Sequence, residues 1–151
     1  MRWRSHVVFG ISAGMFLDSP PEAYPLLVLG TVFPDKAEAG VIPHRTITHS
    51  LLLWTLLFLG FRALLGIVFS SLPEELLKSA AFFTANAVQG FFVGALSHLL
   101  ADSLTITGVP IFLHRPRVAF RFFRTGSTGE DVFVAVVFGI AAFLKLRDLL
   151  F

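Results

Sequence analysis

The sequence has no cysteine, which excludes disulfide bonds and thiolate metal sites. A metal site in this chain must therefore be built from histidine and carboxylate. Charged residues make up 15% of the 151 residues, against about a quarter in a typical soluble domain. The net charge is only +2, and no stripe of arginine interleaved with aromatic residues follows the chain, so the sequence predicts no nucleic-acid partner.

Hydrophobic residues, by contrast, account for 55% of the chain, with 18 phenylalanines and a mean hydropathy of +0.78. A membrane-spanning helix needs about 20 predominantly apolar residues. Three segments meet this length and predict spanning helices: 50–72, 79–105 and 131–150.

Two shorter apolar runs, Val7–Leu17 and Pro25–Phe33, flank Pro20-Pro21 and predict a hairpin of half-helices. The sequence thus predicts one all-α domain over residues 1–151. It would be an integral membrane helical bundle with about three spanning helices and an N-terminal hairpin.

Individual residues refine this prediction. Thr46 or Thr48 is expected to cap the 50–72 helix, and Arg62 within that helix is expected to snorkel or to pair with a carboxylate. Gly90 and Gly94 form a small-xxx-small pair that allows another helix to approach closely.

The basic residues predict the orientation. The loop 114–124 contains four arginines and no acid (Arg115, Arg117, Arg121 and Arg124), so the positive-inside rule places it in the cytoplasm. In a multi-pass protein of the cell membrane, this puts the end of helix 79–105 and the start of helix 50–72 on the cytoplasmic side.

His98 and Asp102 lie four positions apart in an apolar helix and therefore share one face. With the predicted orientation, most other histidines and several acids reach the same membrane face: His6, Asp35, His44, His49 and Glu130. Imidazole and carboxylate bind zinc, manganese or iron. The sequence therefore predicts a divalent metal, with zinc first and manganese second. His49, His98 and Asp102 would hold it, and Asp35 and His6 would complete the site or bind a second ion.

Several of these residues have a second interpretation. His98 and Asp102 would also serve as a polar pair that locks helices together, and Asp35 as the cap of a turn. His44 is a candidate substrate contact or proton donor, while Arg45 would clamp a phosphate or simply mark the cytoplasmic side. Glu130 completes an S-x-x-E capping box with Ser127, or acts as ligand or base. His114 is predicted to lie at the surface.

Together these motifs resemble the YdjM-like family of membrane-bound metal-dependent hydrolases. The matching residues run through most of the chain: His6, Pro34-Asp35, His44-Arg45-Thr46-Ile47-Thr48-His49-Ser50, Gly94-Ala95-Leu96-Ser97-His98-Leu99-Leu100-Ala101-Asp102, Thr105-Ile106-Thr107-Gly108-Val109-Pro110, Gly126-Ser127 and Glu130. The family often has a Pro-Asp-x-Asp motif, whereas this chain has Pro34-Asp35-Lys36-Ala37-Glu38. Glu38 would replace the second aspartate, or one metal position would be lost.

The resemblance implies a metal-dependent hydrolase, distantly similar to the zinc phospholipase C group, which cleaves phosphoesters. We expect a phosphoester of a lipid or lipid-linked compound as substrate, because a site at the cytoplasmic membrane surface suits an amphiphilic molecule. Metal-activated water would attack phosphorus, with Glu130 or Asp35 taking the proton and Arg45 stabilising charge. The alternatives are a non-catalytic metal-binding transporter or sensor, and a structural membrane protein without a metal. A zinc peptidase is disfavoured because the chain has no HExxH motif.

Overall fold

The computed structural model describes residues 1–38, 46–71, 73, 80–112 and 116–151. These contain five α-helices: α1 (Trp3–Phe16), α2 (Tyr24–Glu38), α3 (Leu51–Ser71), α4 (Ala80–Ser103) and α5 (Thr128–Leu150). The predicted all-α class is confirmed. One small feature was not predicted, an antiparallel pair of two-residue strands, β1 (Val109–Pro110) and β2 (Arg117–Val118), in the loop after α4.

Helices α1 and α2 form the N-terminal hairpin. With 14 and 15 residues they are about 21 and 22 Å long, shorter than the roughly 30 Å of a bilayer core. The prediction ended the second half-helix at Phe33 and placed Asp35 in a polar loop, which is wrong. The helix continues through the buried Pro34 to Glu38, because its last turn packs against the 3₁₀ turn Ile47–His49.

Helices α2 and α4 run parallel and make the closest contact in the bundle. A Cβ atom at Gly90 would overlap the carbonyl of Ala23, and one at Gly94 would overlap the carbonyl of Leu27. From the other side, a Cβ at Gly30 would overlap the carbonyl of Phe91. The predicted role of Gly90 and Gly94 in close helix packing is confirmed. This glycine seam brings the C-terminal ends of both helices to the same end of the bundle.

The remaining two helices flank this core. Helix α3 packs against α4 through Trp54, Phe58 and Phe61, whose rings contact Phe92, while α5 packs against α1. Within the described residues, α3 is the helix that is long and apolar enough to cross a membrane, with a mean hydropathy of 2.2. Helices α4 and α5 carry more polar residues, so the predicted number of three spans is not confirmed.

Two contacts of α3 differ from prediction. Ser50, rather than Thr46 or Thr48, caps the helix, since its hydroxyl accepts a hydrogen bond from the Leu53 N–H at 3.3 Å. Arg62 was expected to snorkel or to pair with a carboxylate; its Nη1 instead donates to the amide oxygen Oε1 of Gln89 on α4 at 2.7 Å, and snorkelling stays a prediction.

Candidate metal centre

Four segments supply the candidate ligands at one end of the bundle. His6 lies on α1, Asp35 on the last turn of α2, His49 on the 3₁₀ turn before α3, and His98 and Asp102 on α4. The three imidazoles and Asp102 are buried, with at most 1% of each residue exposed. The indole N–H of Trp54 donates to the Thr48 carbonyl at 2.7 Å and so holds the turn that carries His49.

Three ligand atoms form a compact triangle. His49 Nε2 lies 3.2 Å from His98 Nε2 and 3.2 Å from Asp35 Oδ1, and His98 Nε2 lies 3.6 Å from Asp35 Oδ1. Zinc–nitrogen and zinc–oxygen bonds of about 2.0–2.2 Å give edges of roughly 3.3–3.6 Å in a tetrahedral site. The triangle therefore has the dimensions of one face of a zinc coordination tetrahedron.

The tautomers of both histidines follow from their second nitrogens. His49 Nδ1 lies 2.9 Å from Glu38 Oε1, and His98 Nδ1 lies 2.6 Å from the Thr31 carbonyl oxygen. A carbonyl oxygen only accepts hydrogen bonds, so His98 Nδ1 donates to Thr31, and we assign the Nδ1 proton of His49 to its contact with the Glu38 carboxylate. Both Nε2 atoms then direct lone pairs into the space between them, as in histidine ligands of metal sites.

His6 and Asp102 extend the centre beyond this triangle. Asp102 Oδ2 lies 3.9 Å from Nε2 of both His49 and His98, and Asp102 Oδ1 lies 3.4 Å from His6 Nε2. The His6 ring stacks on that of His98 with centroids 3.7 Å apart, and the Met1 ammonium also contacts Asp102 Oδ1. In the described part of the chain, neither nitrogen of the buried His6 ring has a hydrogen-bond partner.

These donors fit a divalent metal ion. Two sets of three, His6–Asp35–His98 and His49–His98–Asp102, have ligand atoms that all lie within 4.8 Å of one another. A buried imidazole without a hydrogen-bond partner and two opposed lone pairs are both arrangements that a cation would satisfy. Both sets use His98, whose Nδ1 is occupied by Thr31, so its free Nε2 would serve one ion at a time.

Asp35 forms the accessible edge of the centre. Its side chain is 35% exposed and borders a cavity of about 560 Å³, which Trp3, Val32 and Lys36 also line. Burial raises the pKa of Asp35, but the neighbouring imidazoles of His49, His98 and His6 lower it to about 2. Asp35 is therefore an ionised carboxylate at neutral pH, between the histidines and the cavity.

Glu130 makes a different set of contacts. Its Oε1 accepts the Arg2 backbone N–H at 2.8 Å, and its Oε2 accepts the Gly126 N–H at 2.7 Å. The Ser127 hydroxyl caps α5 by accepting the Glu130 N–H at 3.4 Å, which confirms one half of the predicted capping box. The carboxylate joins the start of α1 to the start of α5, and Glu130 belongs to neither candidate metal set.

Three residues from the sequence analysis, His44, Arg45 and His114, lie outside the described residues. Two groups at the centre were not predicted in their observed roles. Glu38 contacts His49 through Nδ1, on the side away from the other ligands, and the Thr31 carbonyl holds His98. A backbone carbonyl leaves no signature in a sequence, and the role of Glu38 required knowing that α2 continues past Pro34.

Comparison with known proteins bears on this arrangement. The family described as YdjM inner membrane protein matches residues 1–148 of the chain. The chain belongs to the YdjM family. The membership confirms the resemblance inferred from the histidine and aspartate motifs and, with the apolar helix α3, supports a membrane location.

Individual relatives cover different parts of the chain. The inner membrane protein YdjM of Escherichia coli (strain K12) is 41% identical over 76 residues, which are 50% of this chain and 33% of the relative. YdjM of Shigella flexneri gives the same values. The uncharacterized protein YvsG of Bacillus subtilis (strain 168) is 30% identical over 111 residues, 71% of this chain and 59% of YvsG. No solved structure matches the chain.

Proposed function

We propose that this YdjM-family protein is a membrane-bound hydrolase that depends on one divalent metal ion, with zinc as the first candidate and manganese as the second. The observation that carries the proposal is the opposition of two Nε2 lone pairs at 3.2 Å beside an ionised carboxylate. A divalent ion among these atoms would satisfy both lone pairs and offset the charge of the carboxylate. The ligands would be drawn from His6, Asp35, His49, His98 and Asp102.

Catalysis requires access to the ion as well as ligands. A bound divalent ion would act as a Lewis acid and make water nucleophilic at neutral pH. Asp35 is the candidate ligand that borders the 560 Å³ cavity, so a substrate in that cavity would lie next to the centre. Asp35 is also the carboxylate best placed to accept a proton there, whereas both Glu130 oxygens already accept backbone N–H groups.

The cavity lining favours an amphiphilic anion as substrate. Trp3 and Val32 provide apolar surface, and the exposed Lys36 provides a positive charge beside the carboxylate. We infer a phosphoester of a lipid or lipid-linked compound, because its acyl part suits the apolar lining and its phosphate suits Lys36. The site would face the cytoplasm in a multi-pass protein, with His44 and Arg45 as further substrate contacts.

A second candidate is a non-catalytic metal-binding membrane protein, such as a transporter or sensor. Five donor side chains converge on the centre, enough to fill a four- or five-coordinate shell and leave no position for water. An ion whose coordination shell is filled by protein ligands suits a sensor or a transporter. It has no open position for the water that hydrolysis requires.

Metal analysis separates these functions. The purified protein in detergent or nanodiscs should contain about one zinc or manganese per chain, and His98→Ala should lose it, whereas Asn86→Ala, also on α4, should retain it. Absence of metal in the wild type after zinc and manganese are supplied would overturn both metal-dependent functions.

The metal-loaded protein is then tested on soluble phosphoesters, phospholipids and lipid-linked phosphates. Turnover abolished by His98→Ala supports the hydrolase, and metal without turnover on any of them favours the transporter or sensor.

A further inference from the structure

A buried carboxylate contacts the candidate metal centre from outside. Glu38 is the last residue of α2 and is 4% exposed. Its Oε1 lies 2.9 Å from His49 Nδ1, and the Thr48 hydroxyl donates to the same oxygen. Glu38 thus contacts the side of the ring opposite to Nε2, the atom that faces His98, Asp35 and Asp102.

We propose that Glu38 is a positioning residue that fixes the tautomer and orientation of His49 and strengthens its Nε2 as a metal ligand. The inference rests on the proposed metal centre. By accepting the Nδ1 proton, the carboxylate keeps the lone pair on Nε2 and increases electron density on the ring. Removal of such outer partners typically weakens metal binding by about 10- to 100-fold.

The two buried histidines then differ in the strength of their outer partners. His98 Nδ1 donates to the neutral carbonyl of Thr31, whereas His49 Nδ1 donates to a carboxylate. A hydrogen bond to an ionised acceptor is roughly twice as strong as one to a neutral acceptor. His49 is therefore the more strongly polarised ligand, and the side chain that polarises it can be replaced by mutation.

Asp35 and Glu38 contact the imidazole of His49 from opposite sides. The Asp35 carboxylate contacts His49 through Nε2, while the Glu38 carboxylate, three residues later on the same helix, contacts it through Nδ1. One helical turn thus places one acid on the metal side of the imidazole and the other on its outer side. Glu38 acts as a support for the ligand His49 rather than as a metal ligand itself.

The test compares Glu38→Gln with Glu22→Gln. Glu22 is a matched control, because its carboxylate accepts a hydrogen bond from Asn86 Nδ2 at 3.1 Å near the start of α2. Zinc affinity of the purified full chain is measured by competition with a chromophoric chelator, and the tautomer of His49 by ¹⁵N NMR. We expect Glu38→Gln to bind zinc 10- to 100-fold more weakly at unchanged stoichiometry, with an altered His49 tautomer signal, and Glu22→Gln to match the wild type.

Different outcomes overturn different inferences. Equal zinc affinity and an unchanged His49 signal in Glu38→Gln would overturn the positioning role, provided that His98→Ala abolishes binding. Unchanged zinc binding in His98→Ala would instead overturn the proposed metal centre. If Glu38→Gln does not fold, Glu38→Asp takes its place, since it retains the charge but shortens the side chain. Glu38→Asp should bind zinc more weakly than the wild type, and full wild-type zinc affinity would contradict the proposal.

Cobalt(II) distinguishes a support from a direct ligand. If Glu38 were bound to the ion, Glu38→Gln would change the donor set and the intensity of the ligand-field absorption bands. We expect the number of ligands to remain the same, with a similar band intensity and a weaker affinity. A change in coordination number would overturn the positioning role and assign Glu38 to the ion itself.

Discussion

His49 Nε2 and His98 Nε2 lie 3.2 Å apart, although the two residues are 49 positions apart in the chain. Their outer nitrogens donate to Glu38 and Thr31, so two lone pairs meet in a buried space. A metal ion bound between the nitrogens would satisfy both lone pairs.

Metal removal should therefore destabilise the fold. A ligand present at 100 times its Kd adds about 2.7 kcal/mol to the free energy of unfolding, so a chelator should lower the Tm of the wild type by several degrees. His98→Ala, which has lost the site, should show no shift with the chelator. Thermal unfolding followed by circular dichroism in detergent measures both, and an equal response of the two proteins would contradict the prediction.

The glycine seam between α2 and α4 should be intolerant of a single methyl group. Gly94→Ala places Cβ against the Leu27 carbonyl, so the helices must separate, which costs about 1–3 kcal/mol by comparison with overpacked cores. Gly66→Ala on α3 is the matched control, since a Cβ there meets no atom within 4 Å. Thermal stability and zinc affinity should both fall in Gly94→Ala and remain near wild type in Gly66→Ala. A Gly94→Ala protein with unchanged stability would contradict the close packing.

Lys36 should contribute to substrate binding if the substrate is an anionic phosphoester. It lines the cavity next to Asp35, so Lys36→Gln should raise KM for a phosphoester by about tenfold, the loss expected for one hydrogen bond to a charged group. Lys145→Gln serves as the control, because Lys145 pairs with Asp18 on the surface at 2.6 Å. Steady-state kinetics with metal-loaded protein measures the change. A fall in kcat without a change in KM would argue against a binding role.

The absence of cysteine makes the topology directly measurable. Single cysteines at Ile47 and Ser71, which flank α3 and are exposed, should react with a membrane-impermeant maleimide from opposite sides of the membrane. With three spans, Phe151→Cys should react from the same side as Ser71→Cys, and Ile47→Cys from the cytoplasm. Labelling of intact cells and of inverted vesicles distinguishes the sides. Reaction of Phe151→Cys on the Ile47 side would show that the three-span topology is wrong.

Much of the centre could be predicted because it depends on helix periodicity. His98 and Asp102 share a face by their spacing, and Gly90 and Gly94 mark the seam by their size. The meeting of His6, His49 and Asp35 at the same end was expected from the charge-based orientation. The structure places them together, while the side of the membrane and the ligand roles remain predictions.

The parts that could not be predicted depend on tertiary contacts. Pro34 is a helix breaker by its local chemistry, yet contacts between Glu38 and the Thr48–His49 turn hold the helix beyond it. At 100° per residue, the three steps from Asp35 to Glu38 turn about 300° around a helix, so the two acids lie on one face only if the helix continues past Pro34. The Thr31 carbonyl could not be found by any side-chain pattern.

The parallel seam of α2 and α4 has a consequence for how this chain tolerates change in length. Gly30 and Gly94 fix where the two helices touch, and Asp35 and His98 follow these contacts by five and four residues. Deleting one residue within either stretch would rotate the ligand beyond it by about 100° around its helix and shift it by about 1.5 Å. All five candidate ligands would still be encoded, but they would no longer meet. In these two short stretches, the number of residues constrains the protein as strictly as their identity does.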